Sequence, residues 1–255
     1  MVDDIDMNVT HIIRGEDHIT NSGIQLEIFN ALGANTPIFG HNSLLVSENG
    51  EPFSKRNVAS SIEQIREQGI EPNALNSLIA SIGSSVDIQI FKSIDDIAKY
   101  FEITSLGKAP ARYDKNQLVR LNSQLISSYS FEEISKIISN NTGDFSEEFW
   151  DCIKQNISEI SEINIWLKII NEPVNHNLDI DKNYLNIAQD VLPMEPWDKK
   201  TWDEWIEMLK DKTQKRGKEL FMPIRLALTG KTTGPELNKL ILLLGYNKVL
   251  DRLKR

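Results

Sequence analysis

The spacing of apolar residues changes character near Glu71, and that change limits the fold more than any single residue does. Before it, short β-branched runs surround one helical stretch; after it, helical spacing continues almost to the C-terminus. Residues 8–14 (NVTHIIR) read as a short buried strand that turns at Gly15. A helix is expected to start at Thr20 or Asn21, either of which suits an N-cap, with Ile24, Ile28, Ala31 and Leu32 on one face and Gly33 as its stop. Residues 38–46 (IFGHNSLLV) read as a second strand, followed by a turn (SENGE, 47–51), a loop of small and polar residues (PFSKRNVASS, 52–61) and a serine-capped helix at IEQIREQ. Strand, helix, strand, loop and helix in this order are the grammar of an α/β nucleotide-binding sheet.

Beyond Glu71 the stretches PNALNSLIASIG, SIDDIAKYF, YDKNQLVRLNSQLI and FEEISKIIS carry helical spacing with almost no alternation. The expected fold is therefore mainly α with an incomplete α/β part. A boundary is expected at 104–112, where ITSLGKAPA supplies Gly107, Pro110 and small residues as a linker. With 255 residues, 40% of them apolar, the chain has enough material for two cores. No apolar run approaches the length of a membrane helix, and Asp3, Asp4 and Asp6 give an acidic start unlike a signal peptide, so a cytoplasmic protein is expected. The lone Cys152 has no cysteine partner for a disulfide or a zinc site and reads as a buried small hydrophobe; no bound zinc is expected.

A net charge of -9 argues against an RNA partner, because phosphate binding draws on clustered Lys and Arg. The distribution softens the objection. Residues 195–255 hold 14 basic and 9 acidic side chains, a net of +5, which leaves -14 for residues 1–194. Such asymmetry points to a basic face at one end, although a solvated helix surface shows some of the same excess.

Three short features carry chemistry: RGEDH at 14–18, FSKR at 53–56 and MPIRLALTGKTTGPEL at 222–237. Arg14, Asp17 and His18 fall at the end of a strand and the start of a helix, where open α/β sheets bind ligands; a surface charge cluster at a helix N-terminus is the plain alternative. Lys55 and Arg56 lie on a loop able to reach phosphate oxygens, or form an ordinary solvated loop.

Taken in order, these features resemble the bacterial glutamyl-tRNA synthetases of class I. VDDIDMNVTHIIRGEDHITN is similar to the segment closing the second half of that family's Rossmann-type catalytic domain, and GEPFSKR to its KMSKS loop. EQGIEPNALNSLIASIG and GKAPARYDKNQLVRLN resemble the helical segments that follow, and GKELFMPIRLALTGKTTGPELNKLILLLG the last helices of the anticodon-binding domain. The resemblance implies three parts: 1–70, the C-terminal half of the catalytic domain; 71–126, a helical stem-contact region; and 127–255, an all-α anticodon-binding domain. It also implies an ATP-dependent enzyme that activates glutamate and charges tRNA(Glu), with Mg2+ accompanying ATP and the full enzyme a monomer. Charging of tRNA(Gln) as well is an alternative it leaves open.

By the same resemblance, Arg14 would bind glutamate, its guanidinium fork suiting a carboxylate. Asp17 and His18 would lie beside ATP, and Leu44 and Leu45 would offer backbone groups and an apolar wall to adenine. Lys55, assisted by Arg56, would stabilise charge on the phosphates. Arg225, Thr232, Pro235 and Leu237 fall where the family contacts anticodon bases. Two departures stand out. Pro52 occupies the place of the first KMSKS lysine and should stiffen the loop. None of the four histidines (His11, His18, His41, His176) stands in a His-x-Gly-His motif, which the family places upstream of an acceptor-stem domain. The chain is therefore expected to be a C-terminal portion lacking one ATP clamp and inactive alone, with a tRNA-binding module or subunit as the rival reading.

Overall fold

The computed structural model describes residues 1–52, 61–138, 143–174 and 180–254. The chain divides into two compact units, Met1–Leu125 and Ile126–Arg255. Among the described residues no helix is long and apolar enough to cross a membrane.

In the first unit, a short helix α1 (Val2–Asp6) precedes strand β1 (His11–Gly15), a 3-10 turn (Glu16–His18), helix α2 (Ile19–Ala31) and strand β2 (Ile38–Asn42). β1 and β2 pair in parallel, with Arg14 opposite His41, so the segment is a β-α-β unit as its pattern implies. Two expectations need correction. The helix begins earlier than Thr20 and lacks a side-chain cap, because the 3-10 turn feeds directly into it. Its buried positions are Ser22 and Phe29, whereas Ile24 is 58%, Ile28 42% and Leu32 56% exposed. A two-stranded parallel sheet has two faces, and one helix covers only one of them. Ile13 and Ile38 on the strands are accordingly also exposed.

The second strand is shorter than 38–46. It stops at Asn42, and Leu45–Val46 form β3 in a separate parallel pair with β4 (Ala111–Arg112), closed by Ala111 N–H to the Leu44 carbonyl at 2.9 Å and Tyr113 N–H to the Val46 carbonyl at 2.9 Å. Residues 104–112, expected as a linker, are thus partly a sheet element. Between them run α3 (Ile62–Glu67), α4 (Pro72–Ser81) and α5 (Ile94–Tyr100). Ser61 caps α3 through the Gln64 N–H, as its position suggested, and Ser93 caps α5 through that of Asp96. Helix α6 (Lys115–Ser128) places Asn122, fully buried, where its amide accepts from Glu71 N–H at 2.8 Å and donates to the Gly69 carbonyl at 3.2 Å. One side chain therefore satisfies two backbone groups of the turn into α4.

The second unit is all helix among its described residues: α7 (Phe131–Ile137), α8 (Glu147–Ile153), α9 (Glu162–Asn171), α10 (Lys182–Asp190), α11 (Thr201–Thr213), α12 (Gly217–Thr229) and α13 (Leu237–Leu253, kinked at Gly245). Ser130 and Glu133 form a reciprocal capping box at the start of α7. Trp150, Trp205 and Tyr184 anchor the core, and each spends its polar atom on a backbone carbonyl: Tyr129, Ala188 and Leu220 respectively. The fold class is thus mainly α, with a small parallel α/β part at the N-terminal end.

Candidate functional site

Arg14 sits one residue before the end of β1, and the parallel register sets it beside His41 of β2. Its guanidinium Nη2 donates to Ser22 Oγ at 2.5 Å and to Gln25 Oε1 at 2.7 Å, both on α2. The Phe39 ring lies beneath, its centroid 5.1 Å from the guanidinium carbon. Ser22 also meets His41 Nε2 at 2.7 Å and donates to the His18 carbonyl at 3.1 Å. A hydroxyl has one proton, so with that proton on the His18 carbonyl the His41 contact needs Nε2–H as donor. Ser22, Gln25 and Phe39 thus fix Arg14 in one orientation, with His41 in turn bonded to Ser22. The Nε of Arg14 is nonetheless buried without a hydrogen-bond partner.

The turn after β1 brings Asp17 and Leu44 to Gly15. A Cβ on Gly15 would lie 2.5 Å from Asp17 Oδ1 and 3.3 Å from a Leu44 methyl, so a larger residue there would displace the Asp17 carboxylate. Asp17 and His18 are half-exposed, with Oδ2 and Nε2 3.7 Å apart. These candidate nucleotide contacts therefore gather at the C-terminal end of β1, where ligands of such sheets bind. Leu45 is 40% exposed and offers an apolar surface. The backbone role expected of Leu44 is narrower, because its carbonyl already accepts from Ala111. Pro52 forms an isolated bridge with Val46 at the entrance to the loop. Lys55 and Arg56 lie outside the described residues.

In the second unit the four candidate RNA contacts fall on α12, on the start of α13 and on the connection between them. Thr229 ends α12 and ties the connection down: its hydroxyl donates to the Arg225 carbonyl at 2.7 Å and accepts from Lys231 N–H at 3.0 Å, while Gly230 takes the left-handed cap conformation. Thr232 is exposed, whereas Pro235 and Leu237 are buried and face the unit's interior. Direct base contact through the side chains of Pro235 and Leu237 is therefore disfavoured in this arrangement; they shape the connection instead. Arg225 is half-buried, burial pulls its pKa below the usual arginine value, and its Nη1 is buried without a partner.

Sequence reasoning missed Ser22, Gln25, Phe39 and His41 as the setting of Arg14. The signal was present: Ser22 and Gln25 are polar residues at i, i+3 spacing on a helix otherwise read for its apolar positions. The pairing of His41 with Arg14 needs the strand register, which spacing alone does not supply.

Residues 1–120 match the model of the catalytic domain of class I tRNA synthetases (E and Q), and residues 168–255 match that of an anticodon-binding domain. Among curated relatives, the glutamate–tRNA ligase 1 of Chelativorans sp. (strain BNC1) is 43% identical over 257 residues, and that of Brucella ovis 40%. Each alignment covers 99% of this chain, which spans 56% of the length of those relatives. Among solved structures, the glutamate-tRNA synthetase of Elizabethkingia anophelis superposes with a TM-score of 0.74 at 21% identity, covering 99% of this chain and 57% of that one. A glutamate tRNA ligase from Elizabethkingia meningosepticum, solved in complex with its amino acid, gives 0.75 at 22% identity over the same shares. This chain shares the fold of the part of those structures that it covers. The chain belongs to the glutamyl-tRNA synthetases of class I and corresponds to the C-terminal part of that family, from the later portion of the catalytic domain through the anticodon-binding domain.

Proposed function

We propose that this chain supplies the glutamate-facing arginine, the phosphate-facing lysine and the anticodon reader of a glutamate–tRNA ligase. One observation carries the reading. Among the described residues, the buried side-chain nitrogens and oxygens that lack a hydrogen-bond partner are Arg14 Nε and Arg225 Nη1, and both belong to residues singled out for ligand contact. Buried donors are nearly always paired, so an orphan on a fixed guanidinium marks a place for an acceptor from outside. For Arg14 that acceptor is a substrate carboxylate oxygen; for Arg225 it is a base or phosphate oxygen of a single-stranded RNA loop.

The reaction proceeds in two steps. A carboxylate oxygen of glutamate attacks the α-phosphorus of ATP, and the bond to the bridging oxygen of the β-phosphate breaks, releasing pyrophosphate. A ribose hydroxyl at the tRNA 3' end then attacks the activated acyl carbon, and AMP leaves. Arg14 orients the glutamate, Asp17, His18, Leu44 and Leu45 frame the nucleotide, and Lys55 with Arg56 offsets the charge that grows on the phosphates. Magnesium would arrive with the nucleotide's own phosphates. The three-part division at residues 70 and 126, the tRNA(Glu) partner, a monomeric full enzyme and a cytoplasmic setting belong to the same proposal.

A second reading, an anticodon-binding module or subunit without its own catalysis, is favoured by the match of residues 168–255 to an anticodon-binding domain. Glutamate-dependent ATP–pyrophosphate exchange separates the two. Exchange by this chain alone supports a self-sufficient catalyst, whereas tRNA binding without exchange supports the module. Charging assays with purified tRNA(Glu) and tRNA(Gln) then decide whether the acceptor is one or both.

A further inference from the structure

Gly234 lies in the middle of the α12–α13 connection at φ +147, a backbone conformation that L side chains rarely adopt. A Cβ built there would stand 2.3 Å from Trp166 Cη2 and 2.7 Å from Cζ2, far inside van der Waals contact. The backbone of the connection therefore rests directly on the edge of an indole. Trp166 comes from α9, is only 3% exposed, and precedes the stretch matched by the anticodon-binding model, which begins at residue 168. Within the connection Thr232 stays exposed, while Pro235 and Leu237 are buried and Thr229 ties its start to Arg225. The connection is thus held at its beginning by a hydroxyl, at its end by two buried side chains, and at its centre by Trp166.

We propose that Trp166 is a positioning residue for anticodon recognition: by seating Gly234, it sets the height and orientation of the Thr232-bearing connection relative to Arg225. This rests on the reading of that connection as the RNA-contacting surface. A flat ring meeting a glycine backbone leaves little room for the connection to shift, whereas a smaller ring lets it sink or drift by an ångström or more. Hydrogen bonds to bases are lost over such distances, while charge attraction to phosphates is not. Loss of the seat should therefore erase discrimination among anticodons more than it weakens RNA binding.

The test uses the whole chain and two RNA stem-loops, one bearing the glutamate anticodon and one with its second and third bases exchanged, with equilibrium binding measured for each. Wild type is expected to favour the first by about tenfold or more. Trp166→Phe should bring that ratio close to one while leaving affinity for the exchanged stem-loop within about twofold, and Gly234→Ala, which drives a methyl into the ring, should do the same. Trp150→Phe is the control, since Trp150 is a buried indole of the same unit that bonds the Tyr129 carbonyl and is not among the atoms nearest Gly234. It should keep the wild-type ratio. A preserved ratio in Trp166→Phe, or an equal loss in Trp150→Phe, overturns the role of Trp166. If wild type itself does not distinguish the stem-loops, the RNA-reading surface is wrong and this inference falls with it.

Discussion

Replacing Arg252 by methionine should destabilise the second unit by about 3–4 kcal/mol. Arg252 is 9% exposed on α13 and bonds no carboxylate; its guanidinium donates to the carbonyls of Leu228 (2.6 Å), Ile169 (2.6 Å), Glu172 (3.0 Å) and Ile170 (3.2 Å). These carbonyls lie at the ends of α12 and α9, where helices leave their last acceptors unpaired. Ile170 keeps a second donor, Lys248 Nζ at 3.1 Å, and Glu172 is exposed enough for water to replace the lost bond. Leu228 and Ile169 have no such relief. One buried and one half-buried acceptor deprived of a charged donor cost roughly 1–3 kcal/mol each, and methionine retains much of the buried stem's packing. The assay is urea unfolding of the whole chain followed by tryptophan fluorescence, which reports this unit because all five tryptophans (Trp150, Trp166, Trp197, Trp202, Trp205) belong to it. At a slope of about 1.5–2 kcal/mol per molar, the midpoint should fall by roughly 2 M. Arg252→Lys should recover only part of that, since one ammonium cannot span both helix ends. A midpoint shift under roughly 0.5 M at unchanged slope would show that the clamp is dispensable.

Two further outcomes follow from burial. Cys152 is 3% exposed and burial pushes its thiol from 9.0 up to about 11, so a disulfide reagent at neutral pH should label it only as fast as the unit opens; labelling at the rate of a free thiol contradicts this. Because the unfolded chain loses that proton first, stability should decline as pH rises from about 9 toward 11, and Cys152→Ala should flatten the decline in pH-dependent unfolding. On the first unit, the exposed Ile24 and Ile28 lie four residues apart on α2, so Ile24→Glu with Ile28→Lys should reduce binding of a hydrophobic dye and self-association in sedimentation, with little change in unfolding midpoint. Unchanged dye binding would mean that this face is not the sticky one.

The cap of α3 was legible because a cap is a local device. Ser61 sits one residue before an apolar-periodic run, and no tertiary contact is needed to recognise it. The β-α-β unit was legible for the same reason, but the buried face of α2 was not. Periodicity names the apolar side of a helix, while burial depends on what the rest of the fold places against it; here Ser22 and Phe29 face inward and Ile24 faces solvent. The break between β2 and β3 was equally hidden, since IFGHNSLLV has strand propensity throughout and only pairing with Ala111–Arg112 separates its ends. At the candidate sites, motif order picked out Arg14 and Arg225 but not their surroundings. His41 reaches Ser22 through strand register, and Trp166 reaches Gly234 from 68 positions upstream, relations that exist only once the chain is folded.

The central claim is that the connection following Arg225 reads a tRNA anticodon, and its most direct measurement is binding of the whole chain to intact tRNA(Glu) beside the same tRNA with its anticodon replaced. Binding should be about tenfold or more tighter to the native anticodon, and Arg225→Ala should abolish that preference while leaving the residual, salt-sensitive affinity in place. Equal affinity of the wild-type chain for both tRNAs, or a preference that survives Arg225→Ala, would contradict the account.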